Sequence, residues 1–105
     1  MTTLVKVVTC ELEGEFDDYE SVWNDFLVLT NRLPDITILA TQRHVFQNGG
    51  LSGVVIIGES HLAIHTWPEL GRAYALFASC SSDESMSKFK IELARHWSVV
   101  RSSRE

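Results

Sequence analysis

From Ser52 to Glu69 the chain reads Ser-Gly-Val-Val-Ile-Ile-Gly-Glu-Ser-His-Leu-Ala-Ile-His-Thr-Trp-Pro-Glu, which sets two serines, two histidines and two carboxylates among β-branched and aromatic residues. Three chemistries compete for it. A metal site would use His61 and His65. Yet Leu62 and Ile64 alternate with His61, Ala63 and His65 at the period of a strand, and four strand residues separate two Cα atoms by about 13 Å. That is too far for one tetrahedral ion with bonds of about 2 Å, so no metal is expected. A serine hydrolase would centre on Ser60. The sharp turn that exposes such a nucleophile wants glycine two before and two after it, and although Gly58 is in place the later position is Leu62. The third chemistry is self-processing at the Glu59–Ser60 peptide. The serine hydroxyl attacks the preceding carbonyl and turns the amide into an ester. Elimination at the serine then breaks the chain and leaves a pyruvoyl group on the new N-terminus. The reaction needs backbone freedom, a donor for the tetrahedral oxyanion and a base near the Cα proton. Gly58 is expected to supply the freedom.

The elements that must hold these groups are readable from periodicity. Leu4 to Leu12, with Val5, Val7 and Val8, forms a strand pattern. Asp17 and Asp18 open a helix in which Tyr19, Val22, Trp23, Phe26, Leu27 and Thr30 recur at helical spacing. The acids suit its positive end, and Pro34 lies just past its close. Ile36 to Phe46 and Leu51 to Ile57 are strand-like, and Gln47-Asn48-Gly49-Gly50 between them carries the Asn-Gly hairpin signal. Ser60 to Trp67 is a strand with both histidines on one face. Pro68 to Gly71 is a turn, and Arg72 to Cys80 is a further strand. Ser81-Ser82-Asp83-Glu84, similar to a capping box, opens a second helix with Met86, Phe89, Leu93 and Trp97 on one face. The tail from Ser98 adds a short strand or frays.

The order β-α-β-β-β-β-α predicts an α+β fold, an antiparallel sheet with two helices on one face, in a single domain over 1–105. Val54-Val55-Ile56-Ile57 is apolar on both faces, so the second face also needs cover. A second copy of the chain is expected to provide it, as a homodimer. A domain of 105 residues also has little room for a deep pocket of its own, so an enzyme site is expected to be shared between subunits.

Composition narrows the partners. Hydrophobic residues at 45% and charged residues at 22% are ordinary for a globular chain and exclude a disordered one. No apolar run is long enough to span a bilayer, so no membrane partner is expected. The start, Met1-Thr2-Thr3-Leu4-Val5-Lys6, lacks the apolar core of a secretory leader, which makes the cytosol the default. Cys10 and Cys80 are too few for a disulfide framework and are expected as thiols. Nine Lys and Arg against 14 Asp and Glu, a net charge of −5 without a basic cluster, argue against nucleic acid.

The strings Leu51-Ser52-Gly53-Val54-Val55, Glu59-Ser60-His61-Leu62 and Ile64-His65-Thr66-Trp67-Pro68-Glu69 resemble the bacterial and archaeal class of S-adenosylmethionine decarboxylase proenzymes. The likeness is close from about His44 to Glu69 and extends by spacing to Cys80. It departs at Gly58, where the family usually has alanine, at Leu76, where an acid is common, and at Ser81, where glycine is usual. The resemblance implies a role for each matched position. Cleavage between Glu59 and Ser60 would give a β chain, 1–59, and an α chain, 60–105, whose Ser60 becomes the pyruvoyl group that forms a Schiff base with the substrate. His65 would be the processing base, Ser52 would hold the processing intermediate, and Cys80 would give the proton in decarboxylation. Phe46 and Trp67 would sandwich the adenine, and Glu69 would bind the ribose hydroxyls. The cofactor would be that pyruvoyl group alone, with no metal and no pyridoxal phosphate. Two protomers would pack sheet to sheet, α/β/β/α, with sites at their interface, and the product would feed spermidine and other polyamine synthesis.

Other readings stand beside these. A pyruvoyl group is indifferent to the rest of the amino acid, so ornithine or arginine is an alternative substrate. An unprocessed, inactive paralogue that binds a partner is another. Phe46, Trp67 and Glu69 favour the nucleoside. Without its spacing from Ser60, Cys80 would read as a buried structural thiol. Phe46 reads as core or stacking, His61 as a group that orients the turn, Cys10, Trp23 and Trp97 as core, and His44 and His96 as surface.

Overall fold

The computed structural model describes residues 5–34, 36–58, 60–80 and 82–104. Leu4 of the first expected strand, Glu59 of the expected cleavage bond and Ser81 of the capping segment lie outside them. The described residues form β1 (Lys6–Glu13), α1 (Tyr19–Asn31), β2 (Ile38–Val45), β3 (Leu51–Ile57), β4 (Ser60–Trp67), β5 (Arg72–Ser79), α2 (Asp83–Ala94) and β6 (Ser98–Arg104), with a 3-10 turn at Pro68–Leu70. The strands make one antiparallel sheet in the order β2-β3-β4-β5-β1-β6. The expected α+β architecture, with both helices over one face, is what the chain adopts. No helix among the described residues is long and apolar enough to cross a membrane.

Local chemistry sets the helix ends. The Asp18 carboxylate accepts from the Ser21 N–H at 3.2 Å and caps α1, whose Val22, Trp23, Phe26 and Leu29 are buried. The Ser82 hydroxyl accepts from the Ser85 N–H at 3.2 Å and caps α2, which buries Met86, Phe89 and Leu93. Ser85 in turn donates to the Pro34 carbonyl at 3.1 Å, tying the first turn of α2 to the segment after α1. Asp83, beside Lys6 at 3.0 Å and paired with Arg104, fastens α2 to β1 and β6. The Lys6 hydrogen bond, with the charges of Lys6 and Arg104, holds its carboxyl below the usual range.

One expectation is decided between its two outcomes and one is revised. The tail from Ser98 adds the strand: β6 runs antiparallel to β1, with a register shift at Glu11/Leu12. Trp97 does not ride on α2, which closes at Arg95. It is still core, 9% exposed and with its ring centroid 5.6 Å from that of Phe16, because the chain folds back there into β6.

The pleat sorts the strands into two faces. Cys10, Leu12, Val55, Ile57, Leu62, Ile64, Ala75 and Phe77 point toward the helices and are buried. Val54, Ile56, Ala63 and Leu76 belong to the other face, where Ile56 remains 46% exposed. Among the described residues no element covers that face. The helix side is packed tightly enough to dictate a residue type. A Cβ on Gly53 would overlap Cζ3 of Trp23 and lie 2.8 Å from its Cε3, so the indole of α1 lies flat on bare backbone of β3. Gly53→Ala is expected to destabilise the fold by about 1–3 kcal/mol through overpacking. Guanidinium unfolding measures it, and Trp23→Leu in the Gly53→Ala background should return part of the loss.

Candidate active site

Ser52 of β3 and His65 of β4 are direct cross-strand partners, so their side chains leave the sheet together on the face away from the helices. Ser52 Oγ lies 2.9 Å from His65 Nδ1. With Nδ1 engaged, Nε2 is the nitrogen left for proton exchange with another group. One position along, the Leu51 N–H donates to Thr66 Oγ1 at 2.9 Å and pins the same register from the buried side.

The β2–β3 turn brings further groups to this pair. Phe46 N–H donates to the Gly50 carbonyl at 2.8 Å and Gly49 N–H to the Phe46 carbonyl at 2.9 Å. Gly49 has φ +88°, a backbone conformation that favours glycine. The resulting cleft, about 490 Å³, is lined by Phe46, Asn48, Ser52, His65 and Trp67 among others. Phe46 and Trp67 are 49% and 44% exposed, so each offers ring surface to a ligand rather than to the core. Past Trp67 the 3-10 turn closes at Gly71 with φ +61°. On that turn Glu69 is exposed and accepts from Asn48 Nδ2 at 3.1 Å.

Ser60 and Cys80 are elsewhere. Ser60 is the first residue of β4, paired with Ile57 of β3, and is half-buried. The β4–β5 register, His61 opposite Ala78, sets this end of β4 beside the end of β5 from which Cys80 continues. Cys80 is exposed, not the buried strand-end thiol of the plainer reading. Five strand residues separate Ser60 from His65, about 16 Å at the usual rise. Within one chain, then, the expected site residues fall into two groups: Ser52, His65, Phe46, Trp67 and Glu69 around the cleft, and Ser60 with Cys80 at the far end of the strand. At Gly58 φ is not positive and a Cβ would meet open space.

One cleft residue escaped the sequence reading: Asn48 reads only as a turn residue, and its partner Glu69 is 21 positions away, beyond any local pattern. His44 is exposed, as expected, and its ring lies against that of Phe46 with centroids 4.6 Å apart. Among the described residues no three His, Cys, Asp or Glu side chains gather as metal ligands.

The model of the S-adenosylmethionine decarboxylase family matches residues 5–102. The chain belongs to that family. It is 40% identical over 84 residues to the S-adenosylmethionine decarboxylase proenzyme of Pseudomonas aeruginosa, covering 76% of this chain and 52% of that one. To the proenzyme of Thermodesulfovibrio yellowstonii it is 43% identical over 77 residues, 73% of this chain and 56% of that one. With the proenzyme of Acetivibrio thermocellus identity rises to 62%, over 37 residues that cover 35% of this chain and 30% of the other. The chain thus spans about half the length of the first two relatives. The crystal structure of adenosylmethionine decarboxylase from Aquifex aeolicus VF5 shares the fold, with a TM-score of 0.82 over 100% of this chain and 89% of that one at 23% identity.

The two thiols differ in environment. Cys10 is buried on the helix side of β1, and burial pushes its pKa up, against the pull of the Lys90 charge. Iodoacetamide applied to the native protein should therefore label Cys80 alone, with Cys10 reacting only after denaturation, as peptide mapping would read. Equal labelling of both under native conditions would contradict the assigned burial.

Proposed function

We propose that the chain is a self-processing, pyruvoyl-dependent decarboxylase of S-adenosylmethionine that works as a homodimer. One observation carries the reading: the Ser52–His65 hydrogen bond of 2.9 Å opens onto a cleft lined by Phe46 and Trp67 with Glu69 at its rim. Family membership supports it. Two aromatic surfaces suit a purine and attract a sulfonium, while an exposed carboxylate suits the hydroxyls of a ribose. Ornithine would leave both rings without a flat partner.

Processing starts when Ser60 Oγ attacks the Glu59 carbonyl carbon. The C–N bond breaks and an ester takes the place of the amide. A base then removes the Ser60 Cα proton, the Glu59 carboxylate leaves from Cβ, and water replaces the nitrogen, released as ammonia, to give the pyruvoyl group. Ser60 fits that origin as the opening residue of β4. The group supplies an electron-withdrawing carbonyl that eases loss of CO2. Cys80, on the neighbouring strand end, holds the proton that the substrate carbon then needs.

The base is assigned to His65, yet about 16 Å of strand separates it from the Ser60 of its own chain. A second copy facing the uncovered side of the sheet resolves this. If the two sheets pack face to face about a two-fold axis, about 10 Å apart, the cleft end of one chain meets the Ser60 end of the other. Val54, Ile56 and Leu76 would then be buried, as their composition requires. Each site would take Ser60 and Cys80 from one copy and Ser52, His65, Phe46, Trp67 and Glu69 from the other.

Intact mass spectrometry of freshly purified protein should show fragments of residues 1–59 and 60–105, and Ser60→Ala should stay full length. Cys80→Ala should still be cleaved but release CO2 from S-adenosylmethionine at least about 100-fold more slowly. His65→Ala alone should remain uncut. Co-expressed with Ser60→Ala, the His65→Ala chain should be cut, since in the mixed dimer its Ser60 faces an intact His65. Failure of that complementation would assign processing to a single chain.

A further inference from the structure

We infer that Asn48 fixes the position of the Glu69 carboxylate and thereby selects a ligand with a vicinal diol. The inference rests on the nucleoside reading of the cleft and adds to it a residue drawn from the opposite turn.

The amide is locked at both ends. Gly50 N–H lies 2.9 Å from Asn48 Oδ1, and because a backbone N–H can only donate, the atom it meets must be the oxygen. That choice points Nδ2 at Glu69 Oε2, 3.1 Å away. Asn48 belongs to the β2–β3 turn and Glu69 to the 3-10 turn after β4, so one side chain links the two turns that flank the cleft. Glu69 sits exposed on a short turn, where an untethered side chain would sample several rotamers. Holding it before the ligand arrives removes that ordering from the cost of binding.

The tether also leaves the carboxylate its acceptor capacity. Each oxygen has two lone pairs. After accepting from Asn48, Oε2 keeps one and Oε1 keeps both, enough for two neighbouring hydroxyls. A neutral amide orients the carboxylate without neutralising it, which a lysine in the same place would do. Gly49, with its positive φ, holds the turn that delivers Asn48.

The test uses the purified full chain, as the wild type and as Asn48→Asp and Asn48→Ala, titrated calorimetrically with adenosine and with 2′,3′-dideoxyadenosine. Asn48→Asp keeps the acceptor for Gly50 N–H, and Asp-Gly is itself a favoured hairpin pair, so the turn is retained. Its second oxygen, however, faces Glu69 with like charge in place of a donor. Wild type should prefer adenosine by about tenfold. Asn48→Asp should bring the ratio near one, and Asn48→Ala should fall between. A purely structural role would weaken both ligands together and leave the ratio unchanged. A wild type that discriminates beside an Asn48→Asp that discriminates equally overturns the inference and spares the reading of the cleft. A wild type that treats both nucleosides alike removes the diol role of Glu69, and the inference with it. Should Asn48→Asp fail to melt cooperatively, Asn48→Ala decides by the same ratio.

Discussion

Ser52 and His65 are 13 positions apart in sequence and meet only because β3 and β4 pair in one register. Everything around the cleft inherits that register. It sends Ser52 and His65 out of the same face, puts Thr66 under Leu51, and leaves Trp67 at the strand end where the chain turns to present Glu69. The hairpin is held from below as well. Trp23 rests on Gly53, next to Ser52, so the helix layer and the site share one stretch of backbone. A sheet is stiff along its strands, and that stiffness suits the base proposed at His65, whose nitrogen must be offered at a fixed point.

The same stiffness keeps apart what the chemistry must join. A strand cannot bend to bring its first residue to its sixth, so Ser60 and His65 stay separated within a chain. A small domain meets this limit readily. Its helices cover one face and build the core, and its other face, with Ile56 and Val54, is left for contact outside the chain. In the proposed homodimer, assembly and chemistry are one requirement rather than two, because the uncovered apolar face and the divided site would be met by the same second copy.

Much of this was legible in the residues. Alternation from Ser60 to Trp67 put His61 and His65 on one face, and Asn48-Gly49 marked the hairpin; both follow from local backbone geometry, which short sequence windows encode. The double-sided apolarity of Val54 to Ile57 announced the exposed face. What escaped was long in range or set by packing. Trp97 falls at helical spacing from Leu93 but lies beyond the end of α2, because the chain leaves the helix there to form β6. The link from Asn48 to Glu69 joins two turns whose proximity depends on β2, β3 and β4 lying side by side.

The bare backbone beneath Trp23 has a consequence for folding fidelity. A slip of one residue in β3 would turn every side chain of that strand to the opposite face. It would also bring Ser52 or Val54 under the indole, where neither leaves room for a flat ring. The misaligned sheet therefore loses its best helix contact at the moment it loses its serine–histidine pair. Errors in alignment are penalised by the core before they reach the chemistry, and one missing methyl group serves as the proofreader.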